Sequence, residues 1–490
     1  MKKRWIPLLL TLLMAVSLFG MTACQSEEPA VSGSSMPGES STDSTNDVQV
    51  TEPSAGSTQA AESGSSTQEN SGSPAPTTKR TESTGKTTSK PGIDKDDAEE
   101  IIKELDLKGA TIKILSHLDA NGNDARELKT RFKEYCNGNL VFVTQPYEQL
   151  GEKLSTMIMS NDSPDIYSLR NWDFPALMYK DVFQELDSKI DFSSKEWAGD
   201  MPKYDQYLWQ GKHYVIGGAS PSYYVWYNKS LMEEYGIDKD PGELAKEGNW
   251  TWDTFLQLAR DMTDAASEQY GFVDNGGGIM YAFMSGLNVD LIKLTDSGIE
   301  SNVKSPEVAR AINFYGDLFN QYKVTYQSKN AVQDFANRKA AMLYDGHWIA
   351  QNDPIKSMHD SGEISFTHIP KVPGSDDYIY PGSVGGYAIP KGAKNIEGAV
   401  AFLTMGQVSK AYEEEENARW QKANNLTDAE MAIVLEARDC VNLPTYSYGI
   451  NEASQAFWDA LNNLRGGSSW SSLTAALEPK VLKAIDDLSK

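Results

Sequence analysis

Apolar positions along this chain fall into two rhythms. Residues 110–115 form a short apolar run of the kind a covered strand shows. After a polar stretch, residues 116–123, apolar or aromatic side chains recur at helical spacing at Leu128, Phe132 and Tyr135. That helix should stop near Asn137-Gly138, where a left-handed cap is easily adopted. A second strand is expected over 140–143, a helix over 147–159 and a third strand over 165–168. Strands alternating with helices predict a largely parallel sheet covered on both faces, hence an α/β fold. Ligands of such sheets gather in the loops after the strands, here 116–123 and 169–174.

Further along, Tyr223-Tyr224-Val225-Trp226-Tyr227-Asn228 reads as a strand leading into a helix that carries Leu231 and Met232. At Asn249-Trp250-Thr251-Trp252-Asp253-Thr254-Phe255, Thr251 is the expected N-cap, with Trp252 and Phe255 packing inward. From Phe335 a helix, a buried strand ending at Asp345 and a loop opened by Gly346 are expected. Gly385-Gly386-Tyr387-Ala388-Ile389-Pro390 should be a strand and turn before a helix over 396–403.

The first ninety residues have neither rhythm. Lys2, Lys3 and Arg4 precede an apolar stretch, residues 6–20, and then Met21-Thr22-Ala23-Cys24. About fifteen apolar residues fall short of the ~20 a membrane-spanning helix needs, so residues 1–23 read as a secretory signal. The small residues before Cys24 resemble a bacterial lipobox, with Met21 where Leu is commoner, which makes the Cys24 thiol the lipidation site. Between Gln25 and Gly92 there is no Phe, Trp or Tyr, and Ser, Thr, Gly and Pro dominate. Such a segment cannot bury enough surface to offset chain entropy, so residues 24–94 are expected to be a lipidated cysteine followed by a disordered tether. As a coil its ends would lie roughly 45 Å apart.

Charge narrows the partners. The formal net charge is −24, and without Lys2, Lys3 and Arg4 it is more acidic still. Nucleic acid and anionic membrane surfaces select basic patches, so neither is expected as a partner, and any membrane attachment is through the lipid. Cys136 and Cys440 are too few for a disulfide framework; they could pair or stay apart. All tryptophans but Trp5 and all 23 tyrosines lie in the part beyond the tether. Its nearly four hundred residues call for two domains or lobes.

The order strand–Tyr227-Asn228-Lys229, then Thr251-Trp252-Asp253, then Ala340-Ala341-Met342 with Gly346 and Trp348, then Gly386-Tyr387-Ala388-Ile389-Pro390-Lys391-Gly392, resembles the extracellular solute-binding proteins of bacterial ABC importers. Within them it resembles the sugar-binding group that includes maltose-binding protein. The resemblance implies a two-lobed periplasmic-binding-protein-like (type II) fold, with a hinge and an interlobe cleft. It divides the body into 95–224 and 384–430 for lobe 1, 225–383 for lobe 2, and C-terminal helices over 431–490, mainly in lobe 2. It implies a monomer that captures a carbohydrate, expected to be an oligosaccharide, and passes it to the transmembrane subunits of a permease. It implies no enzyme step, cofactor or metal. The expected location is the outer face of the cell membrane in a Gram-positive-type bacterium.

A sugar offers hydroxyls and flat C–H faces, so its site needs aromatic platforms and planar polar groups. Arg170, Asn171, Trp172 and Asp173 supply that mixture after the third strand; a solvated turn is the plainer reading. Asp119, with His117 and Asn121, follows the first strand. Its spacing imitates a calcium loop, but Asp124 and Thr130 occupy the positions that need Gly and Glu. Trp348 matches the Trp that stacks on sugar in similar proteins, with Asp345 and His347 beside it. Trp458 resembles a further aromatic of that pocket, although Phe457-Trp458 could equally be core. Ser222 and Tyr223 stand near the expected hinge side, where the family's acidic contact is replaced by Pro221 or Ser222. Tyr281 is the last wall candidate.

Two rivals remain. A lipid-anchored glycoside hydrolase would need a carboxylate pair, which 69 Asp and Glu can always supply. No GxSxG, HExxH or Walker A sequence occurs, and the five His show no ligand spacing. A sugar sensor or adhesin on the same fold is the other.

Overall fold

The computed structural model describes residues 93–490 other than 171, 218–220, 222, 296–297, 383–384 and 489. The signal, Cys24 and the tether lie outside the described residues, as do Asn171 and Ser222.

The first sheet has the order β2-β1-β3-β12-β4, built from β1 (Thr111–Ser116), β2 (Asn139–Thr144), β3 (Ile166–Leu169), β4 (Ile216–Gly217) and β12 (Gly386–Ala388). β1 runs parallel to β2 and β3, as the strand–helix alternation requires, and β12 runs antiparallel to β3 and β4. The helix Asn123–Cys136 ends on Asn137 in the left-handed conformation. A 3₁₀ turn, Tyr147–Gln149, opens the next helix, Leu150–Met159.

The second sheet has the order β10-β5-β9-β6, from β5 (Tyr223–Asn228), β6 (Tyr270–Asp274), β9 (Ala340–Gly346) and β10 (Ile364–Thr367). β5 is antiparallel to both β9 and β10, while β6 and β9 are parallel. Two small ladders complete the strands: β7 (Ile292–Thr295) with β8 (Gly298–Ser301), and β11 (Ile379–Gly382) with β13 (Val441–Pro444). Every residue of β9 is buried, which explains its unbroken apolar run. Thr251 caps the helix Trp252–Asp261 by accepting from the Thr254 N–H, and Trp252 and Phe255 are buried beneath it. The helix Ile396–Val408 runs five residues past its expected end because nearly all of it is interior, where a longer apolar stretch is stabilised by packing.

Ile112, Ile114, Phe132, Ile166 and Phe402 fill one face of the first sheet. A larger cluster covers its other face and continues through Phe174 and Tyr207 into the second sheet's core. This is the two-lobed fold expected. Cys136 and Cys440 are both free thiols. Cys136 is buried in the first lobe, and burial pushes its pKa up to about 12.

The helix Glu413–Ala423 bridges the lobes. Near its start Glu415 pairs with Lys95 of the helix Lys95–Glu104, which packs on the first lobe. At its far end Trp420 meets His347, and Asn424 accepts from Gln351 at 2.7 Å.

Candidate functional site

The first wall grows from the carboxyl ends of β1 and β3. The His117 ring meets Tyr147 edge-on at 5.1 Å, and Tyr147 meets Trp172 at 5.0 Å and 72°. Trp172 is half-buried, so part of its face is open. Neither ring nitrogen of His117 has a protein hydrogen-bond partner, and burial lowers its pKa. A neutral imidazole carries one donor and one acceptor, the complement of a hydroxyl.

Arg170 and Asp173 are placed beneath these rings. Arg170 donates Nη2 to Asp173 at 2.6 Å and Nε at 3.0 Å, and Nη1 to the Tyr147 and Glu148 carbonyls at 2.7 and 2.8 Å. Asp173 also accepts from the Tyr167 hydroxyl at 2.7 Å and the Arg170 N–H at 2.8 Å. Burial opposes the guanidinium charge, but the Asp173 carboxylate outweighs it and raises the Arg170 pKa. The guanidinium lies 5.4 Å from the Trp172 ring centre and 5.9 Å from that of Tyr147. The pair therefore holds the two rings and the start of the next helix together. Asp119 is exposed, and its Oδ1 accepts from the Asn121 N–H at 3.0 Å, shaping the turn before the helix Asn123–Cys136.

The second wall grows from the carboxyl end of β9. Tyr223 pairs in register with Gly346, stacks on Tyr344 at 5.4 Å and meets Trp348 edge-on at 5.2 Å. A Cβ on Gly346 would overlap the Trp348 indole, so only glycine lets that ring fold back over the strand end. His347 is buried between Trp348 at 5.4 Å and Trp420 at 4.9 Å. Asp345 accepts from the Gly346 N–H at 2.6 Å and the Asn275 amide at 3.3 Å. Burial pushes its pKa up to about 6; these two donors oppose the rise and neighbouring Asp274 adds to it.

The third group comes from helices. Tyr281 is buried against Tyr448 at 4.9 Å and Trp458 at 6.0 Å, and Trp458 is half-buried. Tyr448 thus joins Tyr281 and Trp458 in one aromatic group. Neither Tyr448 nor Trp420 was marked by the sequence reading. A half-buried aromatic in a turn, and another on an acidic helix, carry no local sign of the partner they meet. Among the described residues no group of three or more His, Cys, Asp or Glu could hold a metal ion, and no helix is long and apolar enough to cross a membrane.

The comparisons bear on the family and the fold. Residues 118–413, more than half the chain, match the family model for bacterial extracellular solute-binding proteins. Among solved structures, the sugar-binding protein MalE of Xanthomonas citri is similar at 16% identity and a TM-score of 0.63, covering 77% of this chain and 98% of that one. The extracellular solute-binding protein of Staphylococcus aureus in complex with maltose has 13% identity and a TM-score of 0.62, covering 78% and 99%. An ABC substrate-binding protein of Listeria monocytogenes in complex with cycloalternan has 18% identity and a TM-score of 0.55, covering 78% and 98%. No curated protein matches the chain.

Proposed function

From the premise that this chain belongs to the bacterial extracellular solute-binding protein family, we propose that it captures an oligosaccharide between its lobes and delivers it to an ABC permease. The observation that carries this reading is a pair of aromatic clusters, Trp348–Tyr223–Tyr344 at the end of β9 and Tyr281–Tyr448–Trp458 on the helical side. Aromatic clusters of this kind suit the flat faces of linked sugars, and polar groups at their borders fix orientation. That relatives of this fold hold maltose and cycloalternan supports the carbohydrate class.

Trp172, Tyr147 and His117 form the lobe 1 contact, with Asp119 at its border. Trp348, Tyr223, Tyr281 and Trp458 form the lobe 2 contact; Asn171 and Ser222 are added as solute contacts on the sequence alone. Arg170, Asp173, Asp345 and His347 hold these rings in place. Solute can drive closure only by binding the closed state better than the open one, so both walls must touch it. Closure expels water, and the permease then recognises the closed form. A diacyl group on Cys24 anchors the receptor stably where one chain would hold only marginally. The tether raises its concentration near the transporter. Residues 95–224 and 384–430 make lobe 1, except that Tyr223 and Tyr224 already stand in β5 of the second sheet; residues 225–383 and most of 431–490 make lobe 2.

Thermal unfolding with maltose, maltotriose, maltotetraose and cycloalternan tests the reading. A ligand at 100 times its Kd should stabilise the protein by about 2.7 kcal/mol. Trp348→Ala should abolish the shift; a variant that binds unchanged removes Trp348 from the site. Recovery of the oligosaccharide intact after incubation separates capture from hydrolysis.

A further inference from the structure

Asp290 lies just before β7, outside every motif, and its carboxylate is buried. It accepts from the Ser447 N–H at 3.0 Å, from the Ser447 hydroxyl at 2.9 Å and from the Leu291 N–H at 2.8 Å. Its own carbonyl accepts from the Asn302 amide at 2.8 Å. Two of the three donors to the carboxylate belong to one residue of the 3₁₀ turn Tyr446–Gly449, 157 positions away.

That turn faces two ways. On one side Tyr448 lies at 4.9 Å from Tyr281, which in turn meets Trp458 in the helical part of the lobe 2 wall. On the other, the Tyr446 hydroxyl donates to the Gln206 carbonyl of the first lobe, and its ring lies 5.9 Å from Phe174, two residues past Trp172. Gly449 is pressed so closely on the Phe174 carbonyl that a Cβ there would collide with it. One short turn therefore touches the lobe 2 wall, the base of the lobe 1 wall and the buried carboxylate. A four-residue turn has too few internal hydrogen bonds to hold its own shape, so its placement depends on what grips it.

We infer that Asp290 is a positioning residue of the cleft: through Ser447 it fixes the Tyr446–Gly449 turn, and so sets both the aromatic wall at Tyr448 and the lobe contact at Tyr446. The consequence for solute capture rests on the proposed function; the coupling between lobes does not. Loss of the grip frees Tyr446 from Gln206 and lets the two walls drift out of register, lowering affinity without removing any solute contact.

Hydrogen–deuterium exchange on the full chain, without solute, reads the coupling. Asp290→Asn keeps the size but leaves a single acceptor oxygen. It should speed exchange in residues 444–450 and also in the first-lobe segments 174–179 and 205–209. Tyr446→Phe should reproduce the first-lobe change while leaving 288–292 protected, and the double variant should add little to the larger single effect. Ser447→Thr, which retains the hydroxyl, should stay close to the parent, whereas Ser447→Ala should follow Asp290→Asn. First-lobe exchange that is unchanged in a folded Asp290→Asn protein overturns the inference, since a merely local role would move only 288–292 and 444–450. In titrations with maltotriose, Asp290→Asn should weaken binding about tenfold, the scale of one charged hydrogen bond. A parent that binds no maltotriose counts against the carbohydrate reading and leaves the exchange result to decide the coupling.

Discussion

Three carboxylates sit where a carboxylate is costly. Asp274, Asp290 and Asp345 are all buried, and burial pushes each pKa up to about 6. Arg465 opposes that rise at Asp274, Ser447 at Asp290, and the Gly346 N–H at Asp345. A carboxyl raised from 3.8 to about 6 binds more protons folded than unfolded between those values, so stability falls as pH rises through the window. The melting temperature should therefore rise as pH is lowered from about 6 toward about 5. Asp274→Asn should flatten that rise, because one of the three titrating groups is gone; a profile that is unaltered removes Asp274 from the account. The residue scale also shows what a motif leaves out. Trp348 was readable from its place after Gly346, yet Arg170 and Asp173, chosen for their polarity, spend their hydrogen bonds on each other and on the Tyr147 and Glu148 carbonyls. Sequence gives a side chain's chemistry but not which partner takes it.

At the scale of elements, local signals were reliable where they are self-contained. Thr251 caps its helix through an atom three residues away, and β1, β2 and β3 pair as their spacing implies. Joints between distant elements left no such trace. Glu430, in the first turn of the helix Asp428–Asp439, accepts from Thr427 at 2.8 Å and Ser365 at 2.8 Å and lies 2.8 Å from the His359 ring. It thereby fastens that helix to β10 and to the helix Ile355–Asp360. Burial would raise its pKa, but the His359 contact and the Thr427 N–H outweigh it, and the pKa is lowered. Its contribution is thus present at neutral pH and lost as pH falls through the lowered value. Glu430→Gln should cost about 1–3 kcal/mol, the range for leaving a buried hydrogen-bonding group without its partner. Denaturant unfolding at pH 7 measures it, and a loss below about 1 kcal/mol would mean the joint is held by packing alone.

For the whole molecule, the absence of Phe, Trp and Tyr between Gln25 and Gly92 sets the aromatic-rich body apart from what precedes it. If Cys24 carries the lipid, Cys24→Ser should move the protein from the membrane fraction to the medium while leaving its melting temperature and its solute shift unchanged. Equal membrane retention of the variant would show that some other segment holds it. The sequence by itself determined the class of fold, the order of strands and helices, the caps and the place of Trp348, because each depends on residues within a few positions of one another. Only the tertiary structure decided that Tyr448 packs on Tyr281, that Trp420 reaches His347 from the bridging helix, and that Asp290 grips Ser447. Those contacts join residues dozens to more than a hundred positions apart, and it is burial that makes such ordinary polar and aromatic side chains depend on one another.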